Sequence, residues 1–206
     1  MLSVHKISFG FKNQKLFQDV SFDLEAGQLI RISGPNGSGK STMLGLLSGI
    51  IAGSSGTISF AGDDDYRRWM SWVAPDANGL VSTLSATENL NFWLELRGIK
   101  LKVGILQTTL ARWGLVGDWI QTSLQVAKFS TGMKRRLALA RLELEDSKLW
   151  LLDEPLFGLD DAACKQFRDA LDQHLIQGGA SIVVTHDDRL LERIRHQTIF
   201  LSGAGS

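Results

Sequence analysis

Eight residues constrain this chain more than any others: Gly34-Pro35-Asn36-Gly37-Ser38-Gly39-Lys40-Ser41. They fit the pattern G-x-x-x-x-G-K-[ST], whose glycines let successive backbone N–H groups turn inward around a phosphate chain. In that pattern the lysine reaches the β/γ-phosphates and the next hydroxyl ligates Mg²⁺, which assigns those tasks to Lys40 and Ser41. The flanks agree. The alternating run from Gln28 to Ser33 predicts a strand entering the loop. Thr42 to Ser48 predicts a helix leaving it, with its N-terminus aimed at the anion. Strand, glycine loop, Lys-Ser and helix in this order specify a nucleoside triphosphate site in an α/β domain.

Composition narrows what surrounds that site. The 206 residues are 44% hydrophobic, enough for one sizeable core. Lys+Arg 22 balances Asp+Glu 22, so no electrostatic footprint argues for nucleic acid as the main partner. The single Cys164 has no cysteine to pair with and suits a reducing compartment. Met1 leads almost directly into strand-like sequence, Leu2 to Phe11, and no signal peptide is expected. No apolar stretch approaches the ~18 residues that span a bilayer. The greasiest run, Leu44 to Gly53, is short and broken by glycine. A membrane role is therefore expected to be peripheral, through a partner.

Periodicity divides the chain. Val4, Ile7, Phe9, Phe11, then Phe17, Val20, Phe22 and Leu24 read as antiparallel strands ahead of the phosphate loop. Gly56 to Phe60 reads as another strand, followed by the turn Gly62-Asp-Asp-Asp65, taken as solvated rather than metal-binding. From about Ser85 to Arg141 the pattern turns helical. Ser85-Ala-Thr-Glu88 is a capping box ahead of Asn89 to Arg97, and further helical runs are Val103 to Trp113 and Met133 to Leu144. Then β/α alternation returns. Leu149 to Leu152 and Ala180 to Thr185 suit buried parallel strands, with Ala162 to Gln177 the helix between them.

Two further segments carry chemistry. Lys148-Leu-Trp-Leu-Leu-Asp153-Glu154 is a buried strand ending in two carboxylates, where a parallel sheet presents ligands. Asp153 is placed to hold Mg²⁺, and Glu154 to polarise a water beside the γ-phosphate. Phe129-Ser130-Thr-Gly132-Met133 puts a Ser-x-Gly turn at a helix start, suited to a second anion contact. With that turn shortly before the Asp-Glu strand, the chain resembles the nucleotide-binding domain of ATP-binding-cassette (ABC) proteins. Their Leu-Ser-Gly-Gly-Gln signature is matched at Ser130 and Gly132 and relaxed at Phe129, Thr131 and Met133. Gly158-Leu-Asp160 is similar to the D-loop, His186 to the switch histidine, and Phe11 stands where the family stacks an aromatic on adenine.

The resemblance implies a fold and a mode of action. The fold is an α/β, RecA-like P-loop core with an N-terminal antiparallel β subdomain and an inserted α-helical subdomain at about 85–141, the whole 1–206 forming one domain. ATP and Mg²⁺ are the implied cofactors. Two chains are expected to meet head to tail, each Ser130 turn capping the partner's ATP. One departure stands out. The family's Q-loop glutamine is missing from Trp72 to Leu80, where Ala74 holds the corresponding position and Asp76 and Asn78 are the only oxygen-bearing side chains.

Within the ABC family the wording is most similar to the ATPase subunit of the haem-handling complex of cytochrome c maturation. The likeness rests on Thr87-Glu-Asn-Leu90 with Phe92-Trp93, Arg135-Arg-Leu-Ala-Leu-Ala-Arg-Leu142, Leu149 to Pro155, and His174 with Gly178-Gly179. It implies integral membrane transporter subunits as partners, on the cytoplasmic face of the bacterial inner membrane or the matrix face of the mitochondrial one. Haem would be handled by the complex rather than by this chain, because there is no Cys-x-x-Cys-His and His5, His174, His186 and His196 show no ligand spacing. Another small exporter is the first alternative. A soluble ABC ATPase acting on nucleic acid or ribosomes is the second, and neutral charge and a single cassette argue against it. Of the six tryptophans, Trp150 is expected in the core. Trp72 and Trp93 are either subdomain core or an aromatic anchor for a membrane subunit.

Overall fold

The computed structural model describes residues 1–11, 14–53, 55–60, 69–75, 79–117 and 124–202. Two sheets carry the architecture. In the first, β1 (Leu2–Phe11) pairs antiparallel with β2 (Gln14–Leu24) on one side and β4 (Ser55–Phe60) on the other, giving the order β2-β1-β4. The register of β1 slips between Val4 and Ile7, where Lys6 takes a φ of 50°. That is the geometry of a bulge, which bends a strand and re-aims the residues after it.

The second sheet is parallel. β3 (Leu29–Ser33), β5 (Met70–Val73), β6 (Leu149–Asp153), β7 (Ala180–Val184) and β8 (His196–Phe200) lie in the order β5-β6-β7-β3-β8. Its central strands are covered on both faces, which is why they read as unbroken apolar runs. Alternation then divides them between two cores. Leu149, Leu151, Ala180 and Ile182 join the β1–β2–β4 sheet and the helix α1 (Lys40–Leu47), with Met43, Leu44 and Leu47 buried among them. Trp150, Leu152 and Val183 face the other way, toward the long helices.

Those helices are α2 (Ala86–Leu96), α3 (Ile105–Arg112), α4 (Thr131–Leu144) and α5 (Asp161–Ile176). The Ser85–Glu88 capping box is formed, with Ser85 Oγ accepting from Glu88 N and Glu88 Oε2 accepting from Ser85 N at 2.7 Å. α2 and α3 both pack on α4. Because α4 continues to Leu144 and leads into β6, it joins the helical layer to the parallel sheet. The helix starts sit two residues earlier than periodicity alone placed α4, since Ser130 is its cap and Thr131 its first residue. Edge strand β8 was not foreseen. Four of its five residues are exposed, so it carries no apolar period, and only its pairing with β3 makes it a strand. The acidic turn at 63–65 and Trp119 lie outside the described residues.

Candidate active site

The phosphate loop joins β3 to α1 at the carboxyl end of the parallel sheet. Three of its glycines adopt positive φ: Gly34 at 150°, Gly37 at 81° and Gly39 at 92°. At Gly34 a Cβ would overlap the Leu201 carbonyl oxygen and come within 2.8 Å of Ser38 Oγ. At Gly39 a Cβ would stand 2.9 Å from the Phe17 ring. The loop is thus wedged between the end of β8 and the antiparallel sheet, and only glycine fits at these two points. Pro35, Asn36 and Gly37 are exposed at its tip, Ser38 is buried beneath it, and Thr42 is half-buried in the first turn of α1. Lys40 Nζ donates to the carbonyls of Gly34 at 2.9 Å and Pro35 at 3.0 Å, so its ammonium lies over the mouth of the loop.

β6 delivers Asp153 and Glu154 next to this loop. Asp153 is 2% exposed, and its Oδ2 has no hydrogen-bond partner. Burial pushes its pKa up; hydrogen bonding from the Ser41 hydroxyl opposes this, Glu154 adds to it, and the positive charges of Arg135 and Lys40 draw it down. A buried carboxylate oxygen with an open position, beside a hydroxyl, is an oxygen donor set of the kind a hard divalent cation takes. Among the described residues no cluster of three His, Cys, Asp or Glu offers another metal site.

Glu154 adopts a φ of 46°, in the left-handed region that non-glycine residues seldom occupy. Its amide donates to Val184 O at 2.8 Å, which pins the backbone in that conformation. Its carboxylate Oε2 accepts from Thr185 Oγ1 and from the amide of His186, both at 3.3 Å. Oε1 lies 3.8 Å from His186 Nε2, with the imidazole 65% exposed. The turn after β7 is itself held by Arg31 of β3, which donates to Thr185 O at 3.1 Å and pairs with Asp188 Oδ1 at 2.9 Å. β3, β6 and β7 therefore bring Lys40, Ser41, Asp153, Glu154 and His186 to one end of the sheet.

The Ser-x-Gly turn is a helix cap facing solvent. Ser130 Oγ accepts from Met133 N at 3.2 Å, and Ser130 is exposed. Gly132 packs against the turn after β6, where a Cβ would meet Gly158 O at 2.7 Å. Asp160 caps α5, accepting from Ala163 N at 2.9 Å, and pairs with Arg136 of α4. In this structure its carboxylate is held by a helix end and an arginine. The Phe11 side chain and residues Asp76 and Asn78 lie outside the described residues.

Three arginines of this region were not assigned a role from sequence. Arg31 was read as one more position of a strand, and Arg135 and Arg141 only as words shared with a family. Both helix arginines are buried, and they donate to backbone carbonyls on either side of residues 76–78. The available signal was an arginine on the inward face of an otherwise apolar helix, since a buried charge demands partners. Trp93 is part of the same packing: its Nε1 donates to Gly79 O at 2.8 Å and Arg141 lies over its ring at 4.7 Å.

Comparison with known proteins names the class. The ABC transporter family model matches residues 17–157. The chain belongs to this family and is an ATP-hydrolysing ABC domain. The cytochrome c biogenesis ATP-binding export protein CcmA of Cupriavidus pinatubonensis is 36% identical over 192 residues, 90% of this chain and 83% of that protein. CcmA of Nitrosomonas europaea is 34% identical over 98% of this chain and 96% of its own length. The solved ATP-binding subunit of an ABC transporter superposes with a TM-score of 0.84 at 27% identity, covering 98% of this chain and 86% of that one. The chain thus resembles CcmA proteins in sequence and ABC ATPase domains in fold.

Proposed function

We propose that this chain is the ATPase subunit of a membrane complex that exports haem, or releases a haem chaperone, in cytochrome c biogenesis. The observation that carries this reading is likeness to CcmA proteins over nearly the whole chain, 90% and 98% in the two relatives above. No helix among the described residues is long and apolar enough to cross a membrane. The chain is accordingly assigned as a peripheral subunit docked on integral membrane partners, at the cytoplasmic or matrix face.

ATP is the substrate. The Gly34–Ser41 loop and the α1 N-terminus take its phosphates, with Lys40 turning from the two loop carbonyls to phosphate oxygens. Phe11 is assigned to the adenine. Ser41 and Asp153 would hold Mg²⁺, which would neutralise charge on the phosphates. Glu154 takes the proton of the attacking water as its oxygen bonds to the γ-phosphorus, and the bond to the ADP oxygen breaks. His186 lies on the exposed side of Glu154 and is assigned to orienting the water and the γ-phosphate. Ser130, Gly132 and Asp160 are assigned to the partner's nucleotide in a head-to-tail dimer. Dimer closure on ATP and opening after hydrolysis would supply the two states that drive the membrane subunits.

Glu154→Gln is expected to keep ATP binding and to lose turnover by on the order of 10²–10⁴-fold. Lys40→Ala is expected to fail at binding itself. Both are read by nucleotide titration and steady-state phosphate release, and near-normal turnover by Glu154→Gln would remove Glu154 from its role. Purification of the tagged chain from detergent-solubilised membranes tests the rest. Co-purifying integral membrane proteins of cytochrome c maturation are expected; recovery only from the soluble fraction would overturn the transporter assignment.

A further inference from the structure

α4 begins at the exposed Ser130 turn and carries two buried arginines, Arg135 at 1% and Arg141 at 3% exposure. Arg135 donates from Nη1 to Ala74 O at 3.0 Å and from Nη2 to Pro75 O at 2.7 Å. Arg141 donates from Nη2 to Trp72 O at 2.9 Å and from Nη1 to Gly79 O at 3.0 Å. Each guanidinium spans two carbonyls, and together they bracket the segment from 72 to 79. That segment leaves β5, the neighbour of the strand that ends in Asp153.

The second fork is closely fitted. A Cβ on Gly79 would overlap Arg141 Nη1, and its φ of 64° is a conformation other residues rarely adopt. Trp93 of α2 covers the guanidinium from one side and donates to the same Gly79 carbonyl at 2.8 Å. Glu145, one turn further along α4, faces Arg141 Nε at 3.1 Å and Arg97 Nη2 at 3.5 Å, and also accepts from Ser71 Oγ. The first fork lies nearer the chemistry, because the charge of Arg135 reaches the Asp153 carboxylate. Planar forks of this kind fix position as well as distance. Parting the helix from these carbonyls would break four charge-assisted hydrogen bonds in a low-dielectric interior, so partial displacement is disfavoured.

We propose that Arg135 and Arg141 are positioning residues that lock Ala74, Pro75 and Gly79, beyond the end of β5, to the helix starting at Ser130, so that these residues and the helix move as one body when ATP is engaged. The arginines hold Trp72, Ala74, Pro75 and Gly79 by their backbone carbonyls. This rests on the ATPase reading above. Neither arginine touches the reacting atoms. Their work is to carry a displacement between the signature turn and the strand end beside Asp153.

The test uses the full chain, in the Glu154→Gln background for hydrogen–deuterium exchange with and without ATP, and in the otherwise native chain for steady-state kinetics. In the parent, ATP is expected to slow exchange at 129–134 and 72–80 together. Arg135→Met should leave the 72–80 response behind, and should lower kcat about tenfold with KM for ATP within about twofold. Arg135→Lys should restore part of both, because an ammonium can still donate to the two carbonyls. If Arg135→Met melts cooperatively yet shows the joint protection and a kcat within about twofold of native, the clamp is overturned. Should Arg135→Met fail to fold, Arg135→Lys and Arg141→Lys take its place; each is expected to loosen the joint response, and native behaviour in both overturns the clamp. A parent that shows no ATP-dependent protection and no hydrolysis would overturn the ATPase reading itself, a result distinct from variants that behave like a responsive parent.

Discussion

Single side chains in this protein are decided by what lies on either side of them. His174 stacks on Trp150 with ring centroids 3.9 Å apart, and its Nε2–H donates to Ala180 O at 3.1 Å. Gly179 closes the far face, where any Cβ would collide with the imidazole. Burial pushes the His174 pKa below its usual 6.5. The unfolded chain therefore binds a proton near pH 6.5 that the folded chain resists. Above that pH His174 contributes nothing to pH dependence. As pH falls through 6.5 toward the folded pKa, stability drops, by at most about 1.4 kcal/mol per pH unit. His174→Phe, which keeps a ring on Trp150, is expected to show a smaller loss of Tm between pH 7.5 and 5.5 than the native chain. Gly34 is decided by its neighbours in the same way. Gly34→Ala, at φ 150° against Leu201 O, is expected to cost about 1–3 kcal/mol and to weaken nucleotide binding. Thermal unfolding and a nucleotide titration measure the two effects.

At the scale of elements, the site depends on turns more than on the strands that lead to them. Thr185 Oγ1 and the His186 amide orient the Glu154 carboxylate, and Arg31 holds the turn that carries both. Arg31 reaches this turn because β3 and β7 are hydrogen-bonded neighbours with Arg31 opposite Val183. Arg31→Met preserves the length of the side chain and removes its two contacts. It is expected to lower kcat about three- to tenfold with little change in ATP affinity, because the glutamate loses alignment and the phosphate loop does not. An unchanged kcat would make the Arg31–Asp188 pair a surface ion pair of no consequence, as exposed pairs commonly are. Of the helix starts, that of α2 was readable with its cap, whereas periodicity began α4 at Met133 and α5 at Ala162. Ser85, Ser130 and Asp160 each cap by a local bond to an amide three residues on, which sequence spacing specifies.

At the scale of the molecule, the helix N-terminus at Ser130 faces solvent, beside the exposed Phe157 of the turn after β6. In the Glu154→Gln chain, ATP is expected to favour a dimer over ADP. Ser130→Arg is expected to abolish that dimer and leave the ATP affinity of the monomer unaltered. Sedimentation velocity with each nucleotide reads the first effect and equilibrium titration the second. A Ser130→Arg chain that still dimerises on ATP would show that the partner's phosphate is not met at this turn.

Much of the fold class was legible because its signals are local. The phosphate loop needs glycines at fixed offsets, buried strands need apolar runs, and helix caps need a hydroxyl or carboxylate three residues from an amide. Those requirements are met within a few residues of chain, so residues 34–41, 149–153 and the Ser85 box announce themselves. Other features exist only because distant segments meet. β8 is a strand through its pairing with β3, and Gly34 is confined by a carbonyl 167 positions away at Leu201. Arg135 and Arg141 find their partners about 60 residues upstream, at carbonyls that every sequence possesses and none advertises. Backbone acceptors carry no residue code, so the chain's own letters determine which arginines must be paired, and tertiary structure alone decides with what.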